Sequence, residues 1–228
     1  MQRSLDTIRS RADRIICSSR ATIVDCERAG LDPALLRHVP LGVDIADVTP
    51  LEVERVRRRY LLPDEFVLFL GTIEPRKNLA RLAEAMRLRT AGQELVVAGA
   101  DGWGDVGAVD DRSVLFLGFV PDADLAALYA AASVFAYPSE REGFGLPVAE
   151  AMAQGTPVVT SAGTSTEEVA GGAAVLVDPF DVVDIARGID EAFDRRAELS
   201  AAGSARAAEM TWRSSAERTL AVYRELVT

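Results

Sequence analysis

Short, continuous apolar runs recur along the middle of the chain, and segments with helical periodicity separate them. Each run is four or five residues long, rich in β-branched or aromatic side chains, and bounded by Gly, Pro or Asp. These features are typical of buried strands, and the lack of polar alternation indicates strands covered on both faces, as in a parallel sheet. The predicted strands are residues 66–70, 95–98, 114–117, 134–137, 157–160 and 174–177.

Helical patterns fill most of the intervals between these strands. After residue 78, four apolar residues fall at i, i+3, i+4 and i+7, on one helix face: Leu79, Leu82, Ala83 and Met86. Residues 122–132 and 181–193 each begin with Asp, a frequent helix start, whereas the Gly- and Asp-rich stretch between residues 98 and 114 predicts mostly loop. Alternating strands and helices predict an open, doubly wound α/β domain from about residue 60 to residue 208.

The two ends of the chain carry elements for which this sheet has no place. Residues 14–18 and 38–41 predict two strands with a helix between them at 19–30, and residues 50–60 predict an arginine-rich helix. Residues 211–227 predict a separate amphipathic helix. We expect its apolar residues to form an exposed stripe: Trp212, Leu220, Val222, Tyr223 and Leu226.

The charge balance excludes some partners. The chain has 228 residues, and 25 basic against 35 acidic residues give a net charge of −10, which argues against nucleic-acid binding and general attraction to an anionic membrane. The N-terminus lacks the apolar core of a signal peptide, and no apolar stretch reaches the ~18 residues that span a bilayer. We expect a cytoplasmic protein with at most peripheral contact at the inner face of the membrane, and free thiols at Cys17 and Cys26.

The segment EGFGLPVAE, residues 142–150, follows the strand predicted at 134–137 and opens a helix at Pro147. Proline suits the first helical turn, because its missing N–H has no helical partner there. Gly143 and Gly145 allow a positive φ and a close approach of the backbone to a ligand.

Two carboxylates lie at the ends of this segment. Glu142 belongs to the loop, and Glu150 is expected in the first helical turn. Together with the N–H groups of residues 144–148 at the helix start, they fit a polyhydroxylated ligand that carries phosphate. The alternative is structural: Glu150 complements the helix dipole and the glycines form a turn.

A second segment, GTIEPRKN at residues 71–78, follows the strand predicted at 66–70. Arg76 and Lys77, the only lysine of the chain, stand just before a helix start, where positive charge opposes the helix dipole. A bound anion would resolve this conflict, and an Arg and Lys pair suits a diphosphate. The alternative is a solvated turn.

Several other kinds of site have no motif in the sequence. The first loop lacks Walker A spacing, and no Gly-x-Gly-x-x-Gly follows the first strand of the sheet, which argues against a nicotinamide dinucleotide site. One His and two Cys cannot build a structural zinc site, so no metal is expected. His38 lies outside the predicted sheet, so no Ser-His-Asp arrangement is indicated.

Seven segments of the sequence, in this order along the chain, together resemble a known family. They are RIICSSRATIVDCERAG, VPLGVD, VLFLGTIEPRKN, LVVAGADGWG, VLFLGFVPDADLAALYAAASVFAYPS, EREGFGLPVAEAMAQGTPVV and AAVLVDPFD. From about residue 14 to residue 223, the chain resembles the C-terminal, donor-binding domain of retaining family 4 glycosyltransferases with the GT-B fold, in which Glu142 and Glu150 form the E-x7-E pair. The sequence GTIEPRKNL is similar to the corresponding segment of bacterial mannosyltransferase-like enzymes of cell-wall or polysaccharide synthesis.

The resemblance implies roles for these residues. Arg76 and Lys77 would hold the donor diphosphate and stabilise the departing charge without a metal or other cofactor. Glu142, with the N–H groups around Phe144 to Leu146, would hold the sugar, and Glu150 would bind the ribose hydroxyls.

The resemblance also assigns the walls of the donor site. Gly71 and Thr72 would admit the phosphates, and Val120 and Leu125 would frame the base. The remaining substrate-binding positions are Gly143, Phe144, Gly145 and Leu146. Many relatives carry a basic residue where this chain has Thr72, so phosphate binding would depend more on Arg76 and Lys77.

The resemblance therefore implies a Rossmann-like half of a GT-B fold that transfers a hexose, such as mannose or glucose, from a nucleotide-diphosphate sugar to an acceptor that the sequence does not identify. Residues 1–45 would be the remnant of an acceptor domain and hinge, 46–208 the nucleotide-sugar-binding domain, and 209–228 a crossing helix. The alternative is a nucleotide-sugar-binding module that is inactive alone, either truncated or one half of a two-chain enzyme. Besides the nucleotide sugar and the acceptor, the expected partner is a separate N-terminal acceptor domain or a second copy of the chain, bound through exposed apolar surface. An α/β regulatory domain with a degenerate site is disfavoured because both motifs are intact.

Overall fold

A computed structural model describes residues 2–100, 102 and 114–227. In chain order its strands are β1 (Ile15–Cys17), β2 (Leu36–His38), β3 (Phe66–Leu70), β4 (Glu94–Ala98), β5 (Val114–Gly118), β6 (Val134–Tyr137), β7 (Val158–Ser161) and β8 (Val175–Val177). β3 to β8 form one parallel sheet in the order β5-β4-β3-β6-β7-β8. The six strands predicted from apolar runs are confirmed to within one residue at each end.

Helices follow most of these strands. They are α1 (Gln2–Arg11), α2 (Arg20–Arg28), α3 (Pro50–Tyr60), α4 (Leu79–Leu88), α5 (Asp122–Ala131), α6 (Leu146–Ala153), α7 (Ser165–Ala170), α8 (Val182–Asp194), α9 (Arg196–Glu209) and α10 (Trp212–Arg224). The first four residues of β3 are fully buried, because helices cover both faces of the sheet. The loop predicted between residues 98 and 114 lies mostly outside the described residues.

The strand order reverses at the centre of the sheet. From β3 the chain proceeds through β4 to β5 on one side, and it then returns to place β6 against the other side of β3. The loops that follow β3 and β6 therefore diverge at the carboxyl edge of the sheet, and in open α/β sheets ligands bind in the crevice at such a switch point.

The sequence patterns did not predict α1, α7 and α9. α7 is six residues long and largely polar, so it shows no helical periodicity, although Thr164 caps its N-terminus. α9 begins directly after α8 and has no capping hydrogen bond from a side chain at its N-cap, Arg195. The usual signals for a helix start are therefore absent there.

The N-terminal strands pair with each other. β1 and β2 form a small parallel sheet with Cys17 opposite His38, and β2 ends at His38 although the sequence predicted a strand at 38–41. Cys17 and Cys26 are free thiols, as expected, with their sulphur atoms 3.9 Å apart. The division of the chain at residues 45 and 208 stays a prediction.

Three residues of the predicted exposed stripe are exposed on α10, and a fourth, Leu226, is exposed just after the helix ends. Trp212, Leu220, Tyr223 and Leu226 are each between 44% and 61% exposed, whereas Val222 is buried, which corrects the prediction at that position. Val222 lies on the helix face that turns towards the rest of the protein. Among the described residues, no helix is long and apolar enough to cross a membrane. The cytoplasmic location stays a prediction.

Candidate functional site

The two predicted motifs meet at the switch point of the sheet. The segment after β3 contains a short 3-10 turn, Pro75–Lys77, before α4 begins at Leu79. The segment after β6 runs through Glu142 to the start of α6 at Leu146. Because these loops leave neighbouring parallel strands on the same edge, Arg76 of the first loop reaches Glu142 of the second.

Arg76 is held by both loops. Its Nη1 lies 2.6 Å from Glu142 Oε1 and donates to the Arg141 carbonyl at 3.0 Å, and its Nε donates to Glu74 Oε2 at 2.9 Å. Burial alone would lower the pKa of Arg76, but the neighbouring Glu142 and Glu74 outweigh it, so the pKa is raised and the guanidinium stays charged. Part of the charge conflict inferred from sequence is thus resolved within the protein by these two carboxylates.

Glu142 is also fixed from the strand side. The Tyr137 hydroxyl donates to Glu142 Oε1 at 2.7 Å, and the Ser139 hydroxyl lies 3.3 Å from the same oxygen. Tyr137 is almost fully buried, and its pKa is raised by burial and by the nearby Glu142 carboxylate. Tyr137 therefore remains a neutral hydrogen-bond donor that orients Glu142.

Lys77, the residue after Arg76 in the same 3-10 turn, is only 8% exposed. Burial lowers the pKa of its ammonium, while Glu142 and Glu74 oppose that shift without compensating it. Among the described residues, Lys77 forms no ion pair within 4.0 Å, in contrast to Arg76. A buried ammonium without a direct partner is a favourable site for an anion. We name Glu74, Arg76, Lys77 and Glu142 the Arg76 cluster.

Gly71 is required by the position of Lys77. A Cβ at Gly71 would stand 2.6 Å from Lys77 Nζ, and the residue has a φ of +145°, which L side chains rarely adopt. The ammonium of Lys77 therefore lies directly over the first residue after β3. The approach of the phosphates to Gly71 stays a prediction. Thr72, the next residue, is exposed beside it.

The glycines before α6 have different reasons for being there. Gly145 has a φ of +108°, and a Cβ there would meet Thr166 Cγ2 at 2.7 Å. Gly143 does not use the positive φ that glycine allows, and a Cβ there would have open space around it. Phe144, between them, is buried in the core, so only its backbone is available to a ligand.

Glu150 belongs to a separate cavity beside this cluster. It is the fifth residue of α6, so the prediction that it lies in the first helical turn is wrong. The Tyr129 hydroxyl donates to Glu150 Oε2 at 2.9 Å. Burial raises the pKa of Glu150, and Asp122 and Asp44 act in the same direction, while the hydrogen bond from Tyr129 opposes the shift.

This Glu150 cavity has a volume of about 410 Å³. Its lining residues are Gly42, Val43, Asp44, Ala46, Asp122, Leu125, Ala126, Tyr129, Leu146, Glu150, Gln154 and Trp212. Leu125 shares this cavity with Glu150, and so does Leu146, which the sequence had placed with Glu142 in the sugar part of the site. Val120 instead packs into the core and is not among these lining residues.

A further cavity of about 460 Å³ lies between α2 and the Glu142 loop. Arg76, Glu142 and Gly143 line one side of it. Residues of α2, including Thr22 and Asp25, line the other side. We name it the α2 cavity.

Sequence reasoning missed several residues that shape these sites. The partners of Arg76, Glu142 and Glu150 are Glu74, Tyr137, Ser139 and Tyr129. Tyr137 and Ser139 could have been suspected, because polar groups at the carboxyl end of a parallel strand face the ligand edge. Asp44 and Trp212 could not, since they reach the Glu150 cavity from the two ends of the chain. Within the described residues, no group of three or more His, Cys, Asp or Glu could hold a metal ion.

Sequence relatives match most of this chain. It is 35% identical over 223 residues to the O-antigen chain mannosyltransferase B of Escherichia coli, covering 91% of this chain and 58% of that protein. It is 35% identical over 252 residues to a D-inositol 3-phosphate glycosyltransferase of Salinispora tropica, covering 95% and 52%. The chain therefore spans somewhat more than half the length of these relatives.

Solved structures share the fold. The Anabaena protein HepE in complex with UDP and glucose superposes over 100% of this chain and 66% of its own, with a TM-score of 0.86 and 21% identity. Sucrose-phosphate synthase from Thermosynechococcus elongatus covers 100% and 62%, with a TM-score of 0.80 and 27% identity. The likeness to HepE shows the fold alone, and that fold is one Rossmann-like half of a GT-B glycosyltransferase.

A family model described as Glycosyl transferases group 1 matches residues 53–210. This range begins in α3 and includes all six strands of the main sheet, both loops at the switch point and α4 to α9. It thus contains the Arg76 cluster and Glu150. The chain belongs to the glycosyl transferases group 1 family.

Proposed function

We propose that this chain is the donor-binding part of a glycosyltransferase that moves a hexose from a nucleotide-diphosphate sugar to an acceptor, with retention of configuration. The observation that carries the proposal is the convergence of Arg76, Lys77 and Glu142 at the switch point of the sheet, beside the cavity that contains Glu150. The mannosyltransferase relatives favour a hexose and a role in polysaccharide or glycoconjugate synthesis. Retention rests on the resemblance to family 4 enzymes.

The nucleoside belongs in the Glu150 cavity. Apolar side chains such as Leu125 and Leu146 suit the faces of a base, and the partly buried Glu150 carboxylate can accept hydrogen bonds from ribose hydroxyls. The co-structures of HepE with UDP-glucose and with UDP support a nucleotide-sugar donor for this fold. The proposal does not specify which base or which hexose the donor carries.

The diphosphate belongs over Gly71, within reach of the Arg76 cluster. Lys77 provides a buried positive charge there, and Arg76 keeps its Nη2 donors free of hydrogen bonds to other described residues. When the bond between the sugar and the phosphate breaks, negative charge collects on the departing diphosphate. These two cations stabilise that charge without moving, because their positions are already fixed.

The sugar belongs next to Glu142, at the mouth of the α2 cavity that Arg76, Glu142 and Gly143 line. Because Tyr137 and Arg76 hold one oxygen of Glu142, the carboxylate can accept from a sugar hydroxyl without leaving its position. The chain spans only 58% of the length of the Escherichia coli mannosyltransferase. Binding of the acceptor and transfer of the sugar by this chain are therefore proposed together with donor binding.

Isothermal titration with UDP-, GDP- and ADP-sugars tests donor binding. We expect Lys77→Ala and Glu150→Ala each to weaken binding of the preferred donor at least tenfold, about 1.4 kcal/mol. Arg58→Ala and Glu54→Ala serve as matched controls, because these residues form an exposed ion pair on α3. If no nucleotide diphosphate or nucleotide sugar binds to the unaltered chain, the proposal is wrong.

Donor hydrolysis or sugar transfer by the unaltered chain separates an enzyme from a binding module. Release of nucleotide diphosphate from the donor, lost in Lys77→Ala, supports catalysis by this chain. Donor binding with no turnover favours a module that needs a further domain.

A further inference from the structure

Three hydroxyl groups converge on one backbone carbonyl beside Glu142. The acceptor is the Gly143 oxygen, and the hydroxyls of Ser18, Ser19 and Thr22 lie 2.9, 2.8 and 2.9 Å from it. The hydroxyls come from the junction of β1 and α2, whereas Gly143 belongs to the loop after β6. We name these three residues the hydroxyl clamp.

The number of donors and lone pairs available assigns different hydrogen bonds to the three hydroxyls of the hydroxyl clamp. A carbonyl oxygen has two lone pairs, so two of the three hydroxyls can donate to it fully. Ser19 Oγ also lies 2.9 Å from Thr22 Oγ1 and accepts the Thr22 N–H as the N-cap of α2. All groups are satisfied when Ser18 and Thr22 donate to Gly143 and Ser19 donates to Thr22.

Two further polar contacts hold α2 in place, one with α7 and one with the Glu142 loop. The Glu168 carboxylate of α7 accepts from the N–H of Arg20 at 2.8 Å, in the first turn of α2. Arg141, next to Glu142, pairs with Asp25 of α2 at 2.8 Å. The position of the hydroxyl clamp relative to the Glu142 loop is therefore fixed on both sides.

The hydroxyl clamp sets the orientation of the peptide groups in the Glu142 loop. The Ser165 hydroxyl donates to the carbonyl of Glu142 at 2.8 Å, and the hydroxyl clamp holds the carbonyl of Gly143. In a trans peptide, the N–H points away from the preceding carbonyl oxygen. The N–H groups of Gly143 and Phe144 are therefore directed away from these hydroxyls.

We propose that Ser18 and Thr22 are positioning residues that hold the Glu142 loop in the geometry that binds the sugar part of the donor. The inference rests on the proposed function, and it adds two residues that lie outside residues 53–210, the range matched by the family model. The nucleotide part of the site does not depend on them, because neither residue lines the Glu150 cavity.

The test compares nucleotide diphosphate with nucleotide sugar. Titrations use GDP with GDP-mannose and UDP with UDP-glucose, and the sugar increment is the ratio of the two dissociation constants within a pair. We expect the double variant Ser18→Ala, Thr22→Val to reduce the increment at least threefold, with affinity for the nucleotide diphosphate unchanged within twofold. The single variant Thr22→Ser should retain the full sugar increment, because its hydroxyl can still donate to the Gly143 carbonyl.

Thr219→Val is the matched control, since among the described residues its hydroxyl donates only to the Ser215 carbonyl within α10. Ser19 is left unaltered because its loss would also remove the N-cap of α2. An unchanged sugar increment in the double variant, or equal loss of nucleotide and nucleotide-sugar binding, overturns the positioning role while the proposed function stands. The positioning role is also overturned if the unaltered chain binds the nucleotide diphosphate and the matching nucleotide sugar equally well. Failure of the unaltered chain to bind any nucleotide overturns the proposed function as well.

Discussion

Glu150 is a partly buried carboxylate, and its negative charge has opposite consequences for stability and for nucleotide binding. Its pKa is raised above the ordinary value of 4.5, mainly by burial, with Asp122 and Asp44 adding to the shift. A carboxyl group whose pKa is raised on folding stabilises the folded state below pH 4.5, and that contribution is lost as pH rises through the raised pKa. At neutral pH the ionised Glu150 therefore costs stability in the free protein.

We expect Glu150→Gln to raise the melting temperature at pH 7 while it weakens nucleotide binding. The amide oxygen can still accept the hydrogen bond from Tyr129, but the partly buried charge is gone. The gain in stability should shrink as pH falls through the raised pKa of Glu150 and be gone below about pH 4.5, where the side chain is neutral in both the folded and the unfolded state. Thermal melts across pH measure this. A variant less stable than the unaltered chain at pH 7 would contradict the linkage argument.

Single residues also show where sequence reasoning stops. Arg76 and Lys77 were predicted as an anion site because positive charge opposes a helix N-terminus. The sequence could not show that Glu74 and Glu142 neutralise Arg76, since that contact exists only once β3 and β6 are neighbours. The structure therefore makes Lys77, not Arg76, the buried cation without a direct partner among the described residues.

At the scale of elements, α5 is fixed to α3 by one buried carboxylate. Asp124 is 1% exposed and pairs with Arg55 at 2.7 Å and Arg59 at 2.9 Å, while the Tyr60 hydroxyl donates to it at 2.8 Å. Burial would raise the pKa of Asp124, but the hydrogen bond from Tyr60 and the arginines outweigh it and lower the pKa. Because α5 also supplies Leu125 to the Glu150 cavity, this contact locates one wall of the site.

We expect Asp124→Asn to lower the free energy of unfolding by about 1–3 kcal/mol and to weaken nucleotide binding. Asn keeps the shape of Asp but not its charge, and both arginines are about half exposed, so they can turn to solvent and limit the loss. Denaturant titration and calorimetry measure the two effects. Glu54→Gln is the control, since its exposed pair with Arg58 contributes only about 0.3–0.5 kcal/mol. An equal effect of the two substitutions would contradict the role of Asp124.

Strands were easier to predict than helices for a physical reason. A strand covered on both faces, such as β3, is a continuous apolar run, which leaves a strong local signal. α9 buries Leu199, Gly203 and Ala207, and its Gly203 packs against Met152 of α6, so two of the three buried residues are small and the apolar stripe is weak. Such a contact depends on a distant partner, and the sequence of α9 alone does not reveal it.

At the scale of the whole molecule, the two ends of the chain are joined by one acidic residue. Glu225 is the C-cap of α10, where a negative charge opposes the helix dipole. It pairs with Arg14 next to β1 and with Arg37 in β2, each at 2.7 Å. Hydrogen bonds from these arginines, that of Arg37 first, lower the pKa of Glu225 to about 2.

We expect Glu225→Ala to increase hydrogen exchange in the last turns of α10 and in β1 and β2, with little change in the main sheet. The reason is that the substitution removes a shared partner of Arg14 and Arg37. Because the pKa of Glu225 is lowered on folding, its contribution is present above pH 4.5 and is lost as pH falls towards about 2, so the unaltered chain should approach the variant in acid.

Glu217→Ala, an exposed position on the same helix, is the control for loss of a surface charge on α10. Nucleotide affinity should not change in Glu225→Ala, since Glu225 lines neither the Glu150 cavity nor the α2 cavity. Exchange mass spectrometry at pH 7 then distinguishes two arrangements. Local deprotection at both ends means that Glu225 ties α10 to the small sheet, whereas exchange that matches Glu217→Ala would mean that apolar contacts such as Val222 hold α10 in place without it.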